Sequence, residues 1–146
     1  METGAYADAG PRVTQKAGYR CFGPYRIPHV KTDAYTVYTN TVPAGAYRGF
    51  GTLQVTWAYE SQMDIIAEKL AMDPLALRLK NLLKKGELYT PGDTPVDCDL
   101  KEGLLRAAKE IGWNKKDNKP NHGKGLACCI EGRWRDLQSR LPPPSK

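Results

Sequence analysis

The feature that most constrains the fold is a glycine-rich stretch, Pro43 to Gly51, at which the spacing of apolar residues changes. Before it, Val30 to Tyr38 is rich in β-branched and aromatic residues, and its side chains alternate between two faces, which predicts a strand. After it, apolar residues recur at steps of three and four, which predicts an amphipathic helix. These helical positions are Val55, Tyr59, Met63, Ile66, Ala67 and Leu70. The chain should therefore run from a strand through a loop into a helix.

Two more helices are predicted downstream, each with its own start signal. Asp73-Pro74 combines a residue that accepts hydrogen bonds from free N–H groups with a proline suited to the first turn. That helix is expected to end at Gly86. Asp99 and Glu102 form a capping-box pattern ahead of the third helix. The apolar positions are Leu75, Leu79, Leu82 and Leu83 in the first, and Leu104, Leu105, Ala108 and Ile111 in the second.

The remaining segments predict little regular structure. Short strands are expected at Gly4 to Pro11 and at Gly125 to Ile130. Glycines and prolines break up the stretch that follows the first strand, as far as Pro28, and at most one helical turn is expected there. Residues 131–146 lack a clear period and contain three consecutive prolines, which predicts a disordered tail. The predicted class is α+β, with a few strands and about three helices. So small a sheet leaves open edges and uncovered helix faces, which indicates an internal fragment of a larger domain.

An acidic line runs along the helix that follows the loop. Glu60, Asp64 and Glu68 lie off its apolar stripe. Paired catalytic carboxylates are one interpretation, and a solvated helix face is the other. The second is favoured because charged residues usually lie on the solvent side of an amphipathic helix.

Net charge, cysteine spacing and the length of apolar runs argue against several classes of protein. The net charge of +6 could indicate a nucleic-acid partner, but the basic residues are dispersed or lie in a turn-prone stretch, so no such partner is predicted. The four cysteines lack the paired spacing of zinc or iron–sulfur ligands, and they are interpreted as buried, reduced thiols. No run reaches the roughly 20 apolar residues of a membrane span, and the N-terminus lacks the pattern of an export signal. A cytoplasmic location is expected.

The glycine-rich stretch also carries the residues best suited to bind a ligand. Gly49 and Gly51 flank Phe50, so the backbone there can approach a ligand closely or adopt positive φ. Arg48 can donate a planar pair of N–H groups to phosphate, oxo or carbonyl oxygens, and Phe50 offers a ring face to a planar molecule. The start of the following helix favours an anion at the same place. The stretch matches neither a Walker-A loop nor a dinucleotide-binding loop, and a simple turn is the alternative interpretation.

Several runs stand in one collinear order over about residues 1–130. They are TGAYAD (3–8), GPYRIP (23–28), YTNT (38–41), YRGFG (47–51), ESQMD (60–64), DP (73–74), RLKN (78–81) and GKGLA (123–127). Together they resemble the molybdopterin-binding large subunit of the xanthine dehydrogenase/aldehyde oxidase family. The resemblance implies that residues 1–130 are part of a molybdopterin-binding domain and that residues 131–146 are a tail foreign to the family.

The resemblance also implies an activity and its cofactors. Such enzymes hydroxylate aromatic heterocycles or aldehydes with oxygen from water, and one relative instead reduces hydroxybenzoyl-coenzyme A. The implied cofactor is molybdenum–molybdopterin, in its cytosine dinucleotide form, with iron–sulfur clusters and FAD on partner subunits or domains. The implied partners are the remainder of the large subunit, the iron–sulfur and FAD subunits, and an aromatic or aldehyde substrate.

The same resemblance implies roles for individual residues. Arg48 and Gly49 are expected to bind the cofactor, while Phe50 is expected to stack on the substrate ring. The copper-containing carbon monoxide dehydrogenases have a cysteine at the position of Gly49, which argues against their kind of site. Purine-oxidising members have an arginine at the position of Lys16, whose single ammonium group cannot replace a planar fork. Lys16 is therefore a substrate-binding candidate that argues against xanthine, and an exposed surface lysine is the alternative.

The family's catalytic glutamate and other cofactor-binding segments have no counterpart in this sequence. We therefore expect no catalytic residue and no direct metal ligand here, and we expect the isolated chain to be inactive. The alternative is a small non-catalytic binding or scaffold module derived from the family. Autonomous folding would distinguish that module from a fragment.

Overall fold

The computed structural model describes residues 1–90, 93–115 and 119–130. Over these residues the chain forms four helices, in the order α1 (Gly10–Arg20), α2 (Thr52–Lys69), α3 (Pro74–Asn81) and α4 (Leu100–Glu110). Helix α2 packs against α1 and α3, and α4 packs against α3. None of the helices in the described ranges is both long and apolar enough to span a membrane.

The predicted strands are wrong for the part of the chain that the structure describes. Sheet pairing there is limited to isolated bridges, Glu2 with Val37, Tyr25 with Leu82 and Leu88 with Pro95. Val30, Thr32, Ala34 and Thr36 do line one cavity, which keeps the two-residue alternation, but no neighbouring strand pairs with this run, so no ladder forms. The predicted α+β class is therefore corrected to four helices joined by irregular chain. The predicted disordered tail, 131–146, lies outside the described residues.

Helix α1 was not predicted, because Gly10-Pro11 was interpreted as a break after a strand. In the structure Pro11 lies in the first turn of α1, where a proline needs no backbone hydrogen bond and its fixed φ suits the helix. The inner face of the helix buries Val13, Lys16, Ala17 and Arg20. This mixture of apolar and charged residues gives no clean apolar stripe from which the helix could be predicted.

The predicted start signals of α3 and α4 are confirmed at Asp73 and Asp99. The Asp73 carboxylate accepts from the Ala76 N–H at 2.9 Å, and the Asp99 carboxylate accepts from the N–H groups of Lys101 and Glu102. Helix α3 ends at Asn81 rather than at Gly86. The backbone becomes extended at Leu82, and the Leu83 N–H donates to the Pro24 carbonyl at 3.0 Å.

Two apolar clusters make up the core of the part of the chain that the structure describes. The first joins α2, α3 and α4 to the segment after α1 through Tyr25, Tyr59, Leu82 and Leu104. The second is built from Leu83, Tyr89 and Val96, with Tyr19 and Phe22 packed against it. The core therefore lies beneath α2 and α3 and extends under the end of α1.

A buried ion-pair network holds the corner between α2 and α3. The Arg78 side chain is fully buried, and its Nε donates to Glu60 Oε2 at 2.8 Å while its Nη1 donates to Asp64 Oδ1 at 2.8 Å. The Tyr25 hydroxyl donates to the other oxygen of Glu60. Burial alone would lower the pKa of Arg78, but the carboxylates of Asp64 and Glu60 reverse that effect and raise it. The predicted solvated acidic face is therefore wrong at Glu60, which is buried.

We expect Glu60→Ala to lower the free energy of unfolding by about 3–5 kcal/mol, because it leaves a buried guanidinium without its main counter-charge. Urea denaturation measures this loss. Asp64→Ala is the matched control: its side chain is 57% exposed, so its loss should stay below about 1 kcal/mol. Equal losses in the two variants would contradict the assignment of Glu60 as the main partner.

We expect Asp73→Ala to lower the free energy of unfolding by about 2 kcal/mol, because two hydrogen bonds disappear together. The Asp73 carboxylate caps α3 and also accepts from the Trp113 indole N–H at 2.8 Å, which ties the end of α4 to the start of α3. Asp73→Asn keeps an oxygen for the cap and loses the indole bond, so it should cost about half as much. If both variants match the wild type in urea denaturation, this link has no role in stability.

Candidate ligand-binding loop

The loop predicted from sequence takes an uncommon backbone path. Gly49, Phe50 and Gly51 are three consecutive residues with positive φ, at +79°, +54° and +90°. The Thr52 N–H donates to the Gly49 carbonyl at 3.0 Å and closes the turn. Positive φ is unstrained for the glycines but costs a phenylalanine on the order of 1 kcal/mol. The surrounding packing must therefore hold the loop in place.

That packing comes from α1. A Cβ atom on Gly51 would lie 2.5 Å from the Val13 carbonyl oxygen and 3.2 Å from Ala17 Cβ, so the position has no room for a side chain. A Cβ on Gly49 would lie 2.6 Å from Leu53 Cγ. The loop is thus pinned between α1 and the first turn of α2, and glycine is required at Gly51 by contact as well as by φ.

The side chains that the loop presents differ in exposure. Arg48 is exposed, Phe50 is half-buried, and Tyr47 before them is 99% exposed. Two cavities of about 880 and 480 Å³ open on the described surface, and neither is lined by residues 47–51. Arg48 is thus exposed and lies outside both of these cavities.

Lys16 lies on the helix that holds the loop. It is only 5% exposed, so the alternative of an exposed surface lysine is wrong. It shares the inner face of α1 with Val13 and Ala17, which contact Gly51. Lys16 and Phe50 each make an interaction with another part of this chain. The structure thus places Lys16 on the helix that contacts the loop, although Lys16 and the loop are far apart in sequence.

Sequence reasoning missed Thr52, the first residue of α2. Thr52 is 3% exposed, and its hydroxyl oxygen has no hydrogen-bond partner among the described residues. A buried hydroxyl without a partner is unfavourable. Its position directly after Gly51 was the available signal, since the first turn of a helix carries free N–H groups.

A second cluster of polar groups in aromatic surroundings was also missed. The Arg20 guanidinium lies 4.8 Å from the centre of the Tyr19 ring and 4.6 Å from that of Tyr89. Arg20 Nε and the Tyr89 hydroxyl are buried without hydrogen-bond partners among the described residues. Burial raises the pKa of Tyr89, so its hydroxyl stays protonated at neutral pH.

All four cysteines are free, as predicted, but the prediction that they are buried is only partly right. Cys98 and Cys129 are exposed, while Cys21 and Cys128 are half-buried. Burial raises the pKa of the Cys128 thiol to about 11, which keeps it protonated and unreactive. Within residues 1–90, 93–115 and 119–130, no three His, Cys, Asp or Glu side chains are grouped so that they could hold a metal ion.

Known proteins resemble this chain in sequence. It is 44% identical over 119 residues to the nicotinate dehydrogenase large molybdopterin subunit of Eubacterium barkeri, which covers 78% of this chain and 28% of that protein. It is 45% identical over 135 residues to a probable xanthine dehydrogenase subunit from Bacillus subtilis, which covers 90% of this chain and 18% of that protein. The chain thus spans less than a third of the length of these relatives.

A solved structure and a protein-family model also match this chain. The aldehyde oxidoreductase from Desulfovibrio gigas superposes with a TM-score of 0.65 at 32% identity, over 77% of this chain and 12% of that one. Residues 1–82, which include α1, the loop and α2, match the molybdopterin cofactor-binding domain. The chain belongs to the molybdopterin cofactor-binding domain family of the xanthine dehydrogenase and aldehyde oxidoreductase molybdenum subunits.

Proposed function

We propose that this chain supplies one wall of the molybdenum-cofactor site of an oxidoreductase that hydroxylates aromatic heterocycles or aldehydes with oxygen from water. Reduction of a hydroxybenzoyl-coenzyme A is the other reaction open to such a site. The observation that carries the proposal is the loop at residues 47–51. It lies inside the family match, it is pinned to α1, and it presents an exposed guanidinium.

The residues of the loop suit an oxygen-rich, anionic cofactor. The Arg48 guanidinium can donate two parallel N–H groups to oxo or phosphate oxygens. Gly49 has no side chain, so its backbone permits close approach of a ligand. Arg48 and Gly49 are the proposed cofactor-binding residues.

When bound, molybdenum–molybdopterin would supply the redox chemistry. The residues of this chain would orient the substrate and shield it from bulk water. The half-buried Phe50 ring would stack on a planar substrate and limit the access of water. Because its φ is held positive between two glycines, the direction of its Cα–Cβ bond is fixed by the backbone. No catalytic residue or direct metal ligand is assigned to this chain.

Lys16 is the remaining proposed substrate-binding residue. Its buried ammonium lies on the helix that supports the loop, so it would place a positive charge behind the substrate position. A compact ammonium recognises a single oxygen better than the paired acceptors of a purine. The proposed substrates are therefore aldehydes or heterocycles other than xanthine.

The partners are inferred from the apolar surface that the chain leaves open. Val42, Tyr35 and Trp57 are 84%, 73% and 76% exposed, respectively. Large apolar side chains with this much exposure indicate a surface that another polypeptide covers. We assign that role to the remainder of a large subunit. Iron–sulfur and FAD subunits, a cofactor in cytosine dinucleotide form, and a cytoplasmic location belong to the same proposal, with residues 1–130 as the molybdopterin-binding part.

A non-catalytic module derived from the family is the second candidate. The Arg78, Glu60 and Tyr25 network and the apolar cluster around it are complete within the described chain. A core of this kind can fold without a partner. In that case the loop would be retained for binding and not for catalysis.

In an assembled enzyme that contains this chain, we expect Arg48→Ala to lower kcat/KM by a factor that corresponds to about 2–4 kcal/mol, if Arg48 contacts charge that develops in the transition state. Arg48→Lys is the matched control: it keeps the charge and loses the planar fork, so its activity should lie between the two. Steady-state kinetics and molybdenum content are measured on the same preparations. Unchanged turnover in both variants at full metal content would remove Arg48 from the mechanism.

We expect the purified 146-residue chain alone to hold no stoichiometric molybdenum, because the chain is proposed to supply only one wall of the site. Metal analysis after gel filtration measures this. Thermal unfolding then distinguishes the two candidates: a fragment should unfold with low cooperativity and bind a hydrophobic dye, whereas an autonomous module should show one cooperative transition. Tight, stoichiometric metal in the chain alone would contradict the proposed incompleteness of the site.

A further inference from the structure

Two pairs of neighbouring residues meet where α1 supports the loop. On the loop side Gly51 directly follows Phe50, and on the helix side Ala17 directly follows Lys16. A Cβ atom on Gly51 would lie 3.2 Å from Ala17 Cβ, so the backbone of Gly51 packs against the methyl group of Ala17. Each of the two residues proposed to bind the substrate is therefore one residue away from the same contact.

This contact leaves no room for a larger side chain. Ala17 is 3% exposed, and Val13, which lies one helical turn before it, is 8% exposed. A Cβ on Gly51 would also lie 2.5 Å from the Val13 carbonyl oxygen. Protein interiors are packed too densely to absorb even one extra methyl group without movement. More volume at Ala17 must therefore separate the helix from the loop.

Two further close contacts hold α1 in place. A Cβ atom on Gly18 would lie 2.9 Å from Ala34 Cβ, so the segment that contains Ala34 packs closely on the helix there. A Cβ on Gly10 would overlap the side-chain oxygen of Thr3, which is 1% exposed. Because the chain is already tightly packed at both places, α1 cannot shift in those directions to accommodate a larger residue.

The loop is less firmly held than the helix. The hydrogen bond that closes its turn runs from the Thr52 N–H to the Gly49 carbonyl at 3.0 Å, and Arg48 ahead of that turn is exposed. Glycine has more accessible backbone conformations than any other residue, so the backbone on both sides of Phe50 can adjust at low cost. Added volume at position 17 is therefore expected to move Phe50 away from α1 and so away from Lys16.

We propose that Ala17 is a positioning residue whose small side chain sets the distance between Lys16 and Phe50, and thereby the width of the aromatic ring that the site prefers. The role rests on the function proposed above, because it requires Lys16 and Phe50 both to bind the substrate. The class of ligand that fits is a planar ring with an oxygen substituent, since an ammonium group binds the oxygen and a phenyl ring stacks on the ring face.

Binding of two aromatic carboxylates to an assembled enzyme that contains this chain tests the proposal. Benzoate and 2-naphthoate carry the same anionic group and differ by one fused ring, and isothermal titration calorimetry measures the dissociation constant of each. In Ala17→Val, benzoate should bind about tenfold more weakly and 2-naphthoate less than about threefold more weakly, because a mismatch of about one methylene changes affinity by such a factor. In Ala17→Gly, which removes volume and cannot overpack the contact, the ratio of the two constants should shift the opposite way.

Ala108→Val is the matched control. Ala108 is also 3% exposed, but it lies on α4, which packs against α3. This variant should lower stability and leave the ratio of the two dissociation constants unchanged, which separates a change in width from general overpacking. The proposal is overturned if either Ala17 variant keeps the wild-type ratio, if Ala108→Val changes the ratio equally, or if the wild type binds neither carboxylate.

Failure of this role can be told apart from failure of the proposed function. If Arg48→Ala lowers kcat/KM while the Ala17 variants keep the wild-type ratio, the positioning role of Ala17 is wrong and the cofactor-binding wall stands. If Arg48→Ala leaves turnover unchanged while the ratio shifts, the cofactor-binding wall is wrong, and Ala17 still sets the width of a ring-binding site.

Discussion

The buried guanidinium of Arg78 is the constraint on which the rest of the described structure depends. It lies between α2 and α3 with Glu60 and Asp64 as ion-pair partners, and it also donates to the carbonyls of Glu60 and Pro74. A charge buried this deeply is tolerated only when its donors are satisfied, so the two helices must meet at this angle and register. The Tyr25 hydroxyl joins the same carboxylate and brings in the segment that follows α1. From this corner α2 runs back to Gly51, so the network also sets the position of the loop.

Elements whose signals are local could be predicted from the sequence. The starts of α3 and α4 followed from Asp73 and Asp99, because an N-cap depends only on neighbouring N–H groups. The strand at 30–38 was predicted from alternation, which correctly indicated an extended run but cannot supply a partner strand. Helix α1 was missed because its buried face carries charged residues such as Lys16 and Arg20, which only tertiary packing explains. Glu60 was misinterpreted for the same reason: its partner Arg78 is distant in sequence.

In the candidate site, too, local features could be predicted from the sequence and tertiary contacts could not. The positive φ of Gly49 and Gly51 could be expected, since glycine before a helix commonly marks such a turn. The contact of Gly51 with the Val13 carbonyl could not, because α1 itself was not predicted. The burial of Lys16 and the partnerless Thr52 hydroxyl likewise depend on how α1 and α2 meet. Sequence patterns indicated the residues proposed to bind, and the structure identified the helix that positions them.

The loop and the core therefore have opposite physical characters. Around Arg78 the polar groups are paired and the apolar side chains are packed within the described chain. At the loop a phenylalanine is held at positive φ, a hydroxyl is buried without a partner, and a guanidinium is exposed. Under the proposed function, an anionic group would pair with the guanidinium and a planar ring would stack on Phe50. A rigid corner beside a strained loop is the arrangement that the proposed binding wall requires, because the folding free energy of the corner can offset the backbone strain of the loop.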